Sequence, residues 1–233
     1  DQQRWIAGSV GPYGAALADG SEYRGDYGVS VKQLRAWHRP RIELLIDAGV
    51  DILALETIPC IAEIEALLAE IDGSGQPCWL SITCAGDCTR AGEPAVEAFA
   101  LAREVDEIIA VGINCIDPAD AYLLVRSASA STGKPVVVYP NSGERWDAAT
   151  RAWIGPARFY AEDVEEWINA GARLVGGCCR VGPTEVGRIR DLVPSHLSER
   201  GRRLPDRQGE CDEHYAGQDH VERQQNREDD QGD

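Results

Sequence analysis

The residues best equipped for chemistry are three cysteines. Cys178 and Cys179 are adjacent in the run Gly176-Gly177-Cys178-Cys179-Arg180, and Cys115 ends the apolar segment Gly112-Ile113-Asn114-Cys115. Three thiolates converging at one point make an open zinc site, because zinc is usually four-coordinate and three protein ligands leave a position for water or substrate. A substrate thiol held there stays deprotonated near neutral pH, and the thiolate is the reactive nucleophile. The chemistry this predicts is alkyl transfer to sulfur. Adjacent cysteines on a regular strand point to opposite faces, so Cys178 and Cys179 reach one metal only if the strand breaks. Gly176 and Gly177 are expected to supply that freedom. Taken alone, the pair favours a reading as two small buried hydrophobes or a strained vicinal disulfide. A third cysteine at another strand end turns the reading to zinc on ligand count and softness. Cys60, Cys78, Cys84, Cys88 and Cys211 lack the paired spacing of a second site and read as core or incidental thiols. No Cys-X-X-Cys pair supports a redox protein.

Positioning these groups requires strands that end together. Strand-like apolar segments recur at Trp5–Val10, Ile52–Leu55, Trp79–Thr83, Ile108–Asn114, Val136–Tyr139 and Leu174–Gly176. Helical stretches lie between them. The clearest is Ile61–Ile71, whose apolar Ile61, Ile64, Leu67, Leu68 and Ile71 form one stripe at i, i+3, i+4 spacing. Another runs from Val31 to Ala48. It ends at Gly49, and a second helix is expected to end at Gly171; each glycine suits a left-handed position before a buried parallel strand. Alternating strands and helices predict an α/β fold with a parallel sheet. In such folds chemistry collects at the carboxyl ends of the strands, and there lie Gly8–Gly14, Glu56-Thr57-Ile58-Pro59, Ser81-Ile82-Thr83, Asn114-Cys115, Tyr139–Gly143 and Gly177-Cys178-Cys179. Six polar strand ends sharing one rim favour a barrel over a nucleotide-binding sheet.

Composition narrows the partners. The 233-residue chain is 43% hydrophobic, enough for a substantial core, and its net charge of -16 argues against nucleic-acid or anionic-membrane binding. No apolar run spans a membrane and no signal segment opens the chain, so the expected setting is cytoplasmic, with reduced thiols. Two regions are predicted: a barrel domain over residues 1–194 and a tail over 195–233. The tail holds eleven acidic and six basic residues with almost no apolar periodicity, and is expected to be disordered. The chain begins at Asp1 and contains no methionine, so it is read as a fragment or processed product.

The segments Ala7–Gly14, Glu56–Pro59, Gly112–Cys115, Val138–Glu144 and Gly177–Arg180 together resemble the homocysteine S-methyltransferase family of zinc-dependent (β/α)8 TIM-barrel enzymes, across about residues 5–193. The nearest likeness is to bacterial enzymes using S-methylmethionine or S-adenosylmethionine. The resemblance implies that Cys115, Cys178 and Cys179 bind Zn2+ and that Glu56 helps hold the amino group of homocysteine. It implies a mechanism in which homocysteine replaces the zinc water, binds as thiolate and attacks the methyl group of a sulfonium donor in line, giving methionine. An acidic protein suits a cationic donor.

The residues leave alternatives open. Glu56 could instead cap the next helix, although a buried strand-end carboxylate needs a cationic or hydrogen-bonding partner. Asn114 and Asn141 could orient substrate or satisfy backbone groups. Gly11-Pro12-Tyr13-Gly14 resembles a turn that admits substrate to the backbone, and His38 reads as structural. Six of the family's eight βα units are expected, the first two being absent, so the barrel should be incomplete, with open edges and exposed apolar side chains. The alternative function is a non-catalytic metal- or thiol-binding fragment of such an enzyme.

Overall fold

A computed structural model describes residues 4–147, 150 and 152–198. In chain order, strand β1 (Ala7–Val10) is followed by the short helix α1 (Tyr13–Leu17) and the long α2 (Val31–Asp47). Strand β2 (Ile52–Ile58) leads to α3 (Ile61–Ile71), and β3 (Cys78–Ile82) to a hairpin of β4 (Cys84–Ala85) and β5 (Cys88–Thr89), then α4 (Ala95–Ala100). Strand β6 (Ile108–Asn114) precedes α5 (Ala121–Thr132). After β7 (Val136–Tyr139) come the hairpin strands β8 (Arg145–Asp147) and β9 (Ala152–Ile154), then α6 (Val164–Ala170), β10 (Ala172–Val175) and α7 (Pro183–Ser198).

Six strands form one parallel sheet in the order β1-β2-β3-β6-β7-β10. That order never reverses, as a barrel wall requires and a nucleotide-binding sheet does not. Each strand is followed by helix, so six βα units of a (β/α)8-type barrel are present, as expected. Among the described residues no strand pairs with the outer edge of β1 or β10. Trp5 and Ile6, leading into β1, are 67% and 68% exposed, the apolar exposure expected beside an open edge.

The core lies between sheet and helices. Leu53, Leu55, Leu80, Ile82, Val111, Ile113, Val136 and Val138 are fully buried, and the predicted α3 stripe meets them through Ile64, Leu67 and Ile71. Buried parallel strands read as continuous apolar runs, and for that reason their cores were found where expected. Helix α2 starts at a capping box, Ser30 with Gln33, which satisfies two otherwise orphaned backbone donors. It ends before Gly49 at φ +77°, and α6 ends at Gly171 with φ +127°.

Gly112 has a packing reason. A Cβ built on it would lie 1.7 Å from the Val137 carbonyl oxygen, so β6 and β7 approach as closely as they do only because residue 112 carries no side chain. Gly14, expected to admit substrate to the backbone, faces other contacts: its Cβ would meet the Glu22 backbone nitrogen at 2.5 Å and the Tyr27 ring at 2.6 Å. This turn packs against its own following segment. Of the proposed tail, residues 195–198 belong to α7; the expectation of disorder for 199–233 lies outside the described residues. No helix among the described residues is long and apolar enough to cross a membrane.

Candidate metal centre and ligand site

The three predicted cysteines converge. Cys115 Sγ lies 2.7 Å from Cys178 Sγ and 4.0 Å from Cys179 Sγ, and the Cys178 and Cys179 sulfurs are 4.0 Å apart. They form the one group of three or more potential metal-ligating side chains found among the described residues. Cys115 is buried, whereas Cys178 and Cys179 are half-buried. A tetrahedral zinc with Zn–S bonds of about 2.3 Å sets sulfurs about 3.8 Å apart. Two of the three separations match that edge, and the tighter Cys115–Cys178 contact would open on loading. Three soft thiol donors with one side toward solvent fit zinc and leave it an open position.

Without metal the trio shares protons unequally. Donating to Cys178 and Cys179, together with burial, pushes the Cys115 thiol up, while hydrogen bonds from Cys115 and Cys178 hold Cys179 below its ordinary value. The remaining described cysteines differ. Burial pushes Cys60, Cys78 and Cys84 each up to about 12. Burial raises the Tyr23 phenol.

Cys115 is positioned by the sheet. It follows the last residue of β6, and its backbone turns left-handed there at φ +53°. For an L-residue that conformation costs about 1–2 kcal/mol, and it turns the side chain off the strand's alternation. The Thr83 hydroxyl donates to the Cys115 carbonyl oxygen at 3.2 Å. Asn114, 1% exposed, accepts from the Thr57 amide and from the Ser81 hydroxyl, both at 2.8 Å, and donates to the Thr57 hydroxyl at 2.7 Å. These contacts tie the asparagine to the strand ends of β2 and β3. They also secure a strained residue, since Thr57 is β-branched and sits at φ +63°.

That kink aims Glu56. Its Oε1 accepts from the Ser9 hydroxyl at 2.5 Å and its Oε2 from the Tyr139 hydroxyl at 2.9 Å; the Trp79 indole in turn donates to the Tyr139 oxygen at 3.1 Å. Burial and the Glu56 charge hold the Tyr139 phenol well above its usual value, so it remains a donor. Glu56 does not cap the next helix: the Ile61 amide at the start of α3 donates to Glu93 instead, at 2.8 Å.

The cysteine pair is positioned by a loop. The Cys178 amide donates to the Pro140 carbonyl at 2.8 Å, the Cys179 amide to Asn141 Oδ1 at 3.1 Å, and the Ser142 amide to the Cys179 carbonyl at 2.9 Å. Asn141 therefore reaches the cysteine backbone. The expected role of Gly176 and Gly177 needs correction, because neither takes a positive φ. Gly177 makes room for Val181, whose Cγ1 would lie 2.1 Å from an added Cβ. The left-handed residue of the turn is Arg180, at φ +68°. Its guanidinium meets Glu144 through Nε–Oε2 at 3.1 Å and Nη2–Oε1 at 3.3 Å, and Glu144 also accepts from the Ser142 hydroxyl at 2.9 Å.

Ser9, Thr57, Ser81, Tyr139, Ser142, Glu144 and Arg180 were given no role from sequence, although Ser81 lies at a strand end and the others lie within the segments that carry the family resemblance. His38 is structural as expected. It is fully buried and its Nε2 lies 2.8 Å from Glu63 Oε1, and that carboxylate also receives the Tyr13 amide and the Tyr27 hydroxyl.

Comparison with known proteins places this geometry. The homocysteine S-methyltransferase family profile matches residues 1–193. Homocysteine S-methyltransferase of Escherichia coli K12 is 43% identical over 190 residues, covering 79% of this chain and 61% of the relative. Selenocysteine methyltransferase of Astragalus bisulcatus is 40% identical over 202 residues, covering 83% of this chain and 60% of that protein. The crystal structure of the E. coli homocysteine methyltransferase MmuM in its metallated form superposes with a TM-score of 0.71 at 41% identity, covering 81% of this chain and 61% of that one. The chain thus spans about three-fifths of the length of these relatives. With its strand order, its strand-end cysteines and a profile match running from residue 1 through most of α7, the chain belongs to the homocysteine S-methyltransferase family.

Proposed function

We propose that this chain carries the thiol-activating part of an enzyme that moves a methyl group from a sulfonium donor, S-methylmethionine or S-adenosylmethionine, to the sulfur of homocysteine, forming methionine. The observation that carries the reading is the meeting of Cys115, Cys178 and Cys179 at one rim. Bound there, Zn2+ would supply a Lewis acid that keeps a substrate thiol deprotonated at neutral pH.

The chain's own residues do the rest. Cys115, Cys178 and Cys179 provide three ligands and leave one side free for a substrate sulfur. Glu56, on the neighbouring arc of the rim, accepts two hydroxyl donors and keeps lone pairs for an ammonium group. An α-amino group bound to Glu56 fixes the amino-acid end of homocysteine, so its sulfur is oriented before the donor arrives. Asn114 acts through Thr57 to hold Glu56 in place, and Asn141 acts through the Cys179 amide. The methyl carbon then passes in line between two sulfurs: the new S–CH3 bond forms from the thiolate lone pair as the old one breaks toward the sulfonium, which becomes a neutral thioether.

The test is zinc stoichiometry together with methionine formation from homocysteine, with S-methylmethionine and S-adenosylmethionine as alternative donors. One zinc per chain, lost in Cys178→Ser, is the expected result. Methyl transfer by a zinc-free Cys178→Ser protein would overturn the reading. Zinc binding without methyl transfer would favour a metal- or thiol-binding role.

A further inference from the structure

We infer that the Glu144–Arg180 ion pair is a latch that holds the Cys178–Cys179 turn in its metal-ready conformation, which makes both residues positioning residues for the cysteine site. The inference rests on the zinc reading above. Its first support is a conflict at position 180. Arg180 has a left-handed backbone at φ +68°, a conformation that glycine adopts without penalty. Twelve glycines among the described residues take a positive φ, against four other residues, Ala18, Thr57, Cys115 and Arg180. A strained residue that keeps its side chain is a pointer to what that side chain does. Here it forms a two-point fork with Glu144, at 3.1 and 3.3 Å, and two parallel N–H···O bonds fix orientation as well as distance.

The second support is where the other end of the fork is tied. The Glu144 side chain is 16% exposed and also accepts from Ser142, whose own amide donates to the Cys179 carbonyl. Glu144, Ser142, Cys179 and Arg180 therefore close a ring of contacts around the peptide that carries the second sulfur of the pair. Opening the fork frees one side of that ring and leaves in place the Cys178 amide's bond to the Pro140 carbonyl and the Cys179 amide's bond to the Asn141 side chain. The expected consequence is a looser site in a folded protein.

The test uses the full chain loaded with zinc and challenged with a chelator. Glu144→Gln and Arg180→Gly should each release metal about tenfold faster than wild type, within the range expected for groups that orient metal ligands, and Arg180→Lys should fall between. Cobalt loading should show an altered thiolate-to-metal absorption band in the same two variants. Arg180→Gly separates this from a merely structural role: relief of the left-handed arginine should leave the metal-free melting temperature unchanged or raised while metal is lost faster. Release rates within twofold of wild type in both Glu144→Gln and Arg180→Gly would overturn the latch. If the wild-type chain binds no zinc, the functional reading fails by itself. The latch is then read from capture of the metal-free thiols by phenylarsine oxide, which bonds two thiols with loss of water. Slower capture in Arg180→Gly supports the latch, and equal capture overturns it.

Discussion

The two halves of the cysteine site are built by different means. Cys115 is buried and held by the sheet, through the end of β6, the Thr83 hydroxyl and the Asn114 contacts beside it. Cys178 and Cys179 are half-buried and held by hydrogen bonds from the Pro140–Glu144 loop. Cys115 is therefore as rigid as the core, and disturbing its supports should cost folding free energy. The other two depend on a few polar contacts near solvent, and disturbing those should cost metal with little loss of fold.

The sharpest way to break this contrast is Cys178→Ser, which should abolish zinc retention and methyl transfer while leaving the urea unfolding midpoint of the metal-free protein near wild type. Next is a matched pair of asparagines. Asn141→Ala should weaken zinc about 10- to 100-fold and shift stability by less than about 1 kcal/mol. Asn114→Ala removes three hydrogen bonds at a buried position and should destabilise the metal-free protein by about 2–3 kcal/mol, read by urea titration. Equal stability losses in the two variants would erase the distinction between sheet-held and loop-held ligands.

A smaller effect is expected at Glu56. Glu56→Gln keeps an acceptor for Tyr139 but loses the charge that an ammonium group needs, so homocysteine binding to the zinc-loaded chain should weaken about tenfold, as for loss of a charged hydrogen bond. Zinc affinity should not change. Isothermal titration reads both. The mildest test is chemical. A thiol whose pKa is raised reacts only as pH climbs toward that value, so Cys60, Cys78 and Cys84, near 12, should resist iodoacetamide at pH 7. In metal-free protein Cys179, held below the ordinary value, should label first and already at pH 7. Peptide mapping by mass spectrometry distinguishes these sites.

The same contrast explains what could be read from the sequence. The six sheet strands announce themselves as apolar runs, and α3 by its stripe, because burial leaves a local pattern of residue types. The convergence of Cys115, Cys178 and Cys179 was legible because all three follow apolar strand runs, and a parallel sheet brings the carboxyl ends of its strands to one rim. The hairpins β4–β5 and β8–β9 were not, since strands of two or three residues carry no period. Nor was the company of Glu56: Ser9 lies 47 residues before it and Tyr139 83 residues after, and only strand order brings them together. The glycines before the cysteine pair suggested backbone freedom, whereas Gly177 serves Val181 and the left-handed turn falls to Arg180.

Gly112 gives the motif a mechanical meaning. It touches no ligand and offers no chemistry, yet it sets the gap between β6, which carries Cys115, and β7, which delivers Asn141 to the cysteine turn. One added methyl group there would act as a wedge, driving the two strands apart against the Val137 carbonyl and separating the sheet-held sulfur from the loop-held pair. The least reactive residue of Gly112-Ile113-Asn114-Cys115 works as the spacer on which the distance between the halves of the site depends.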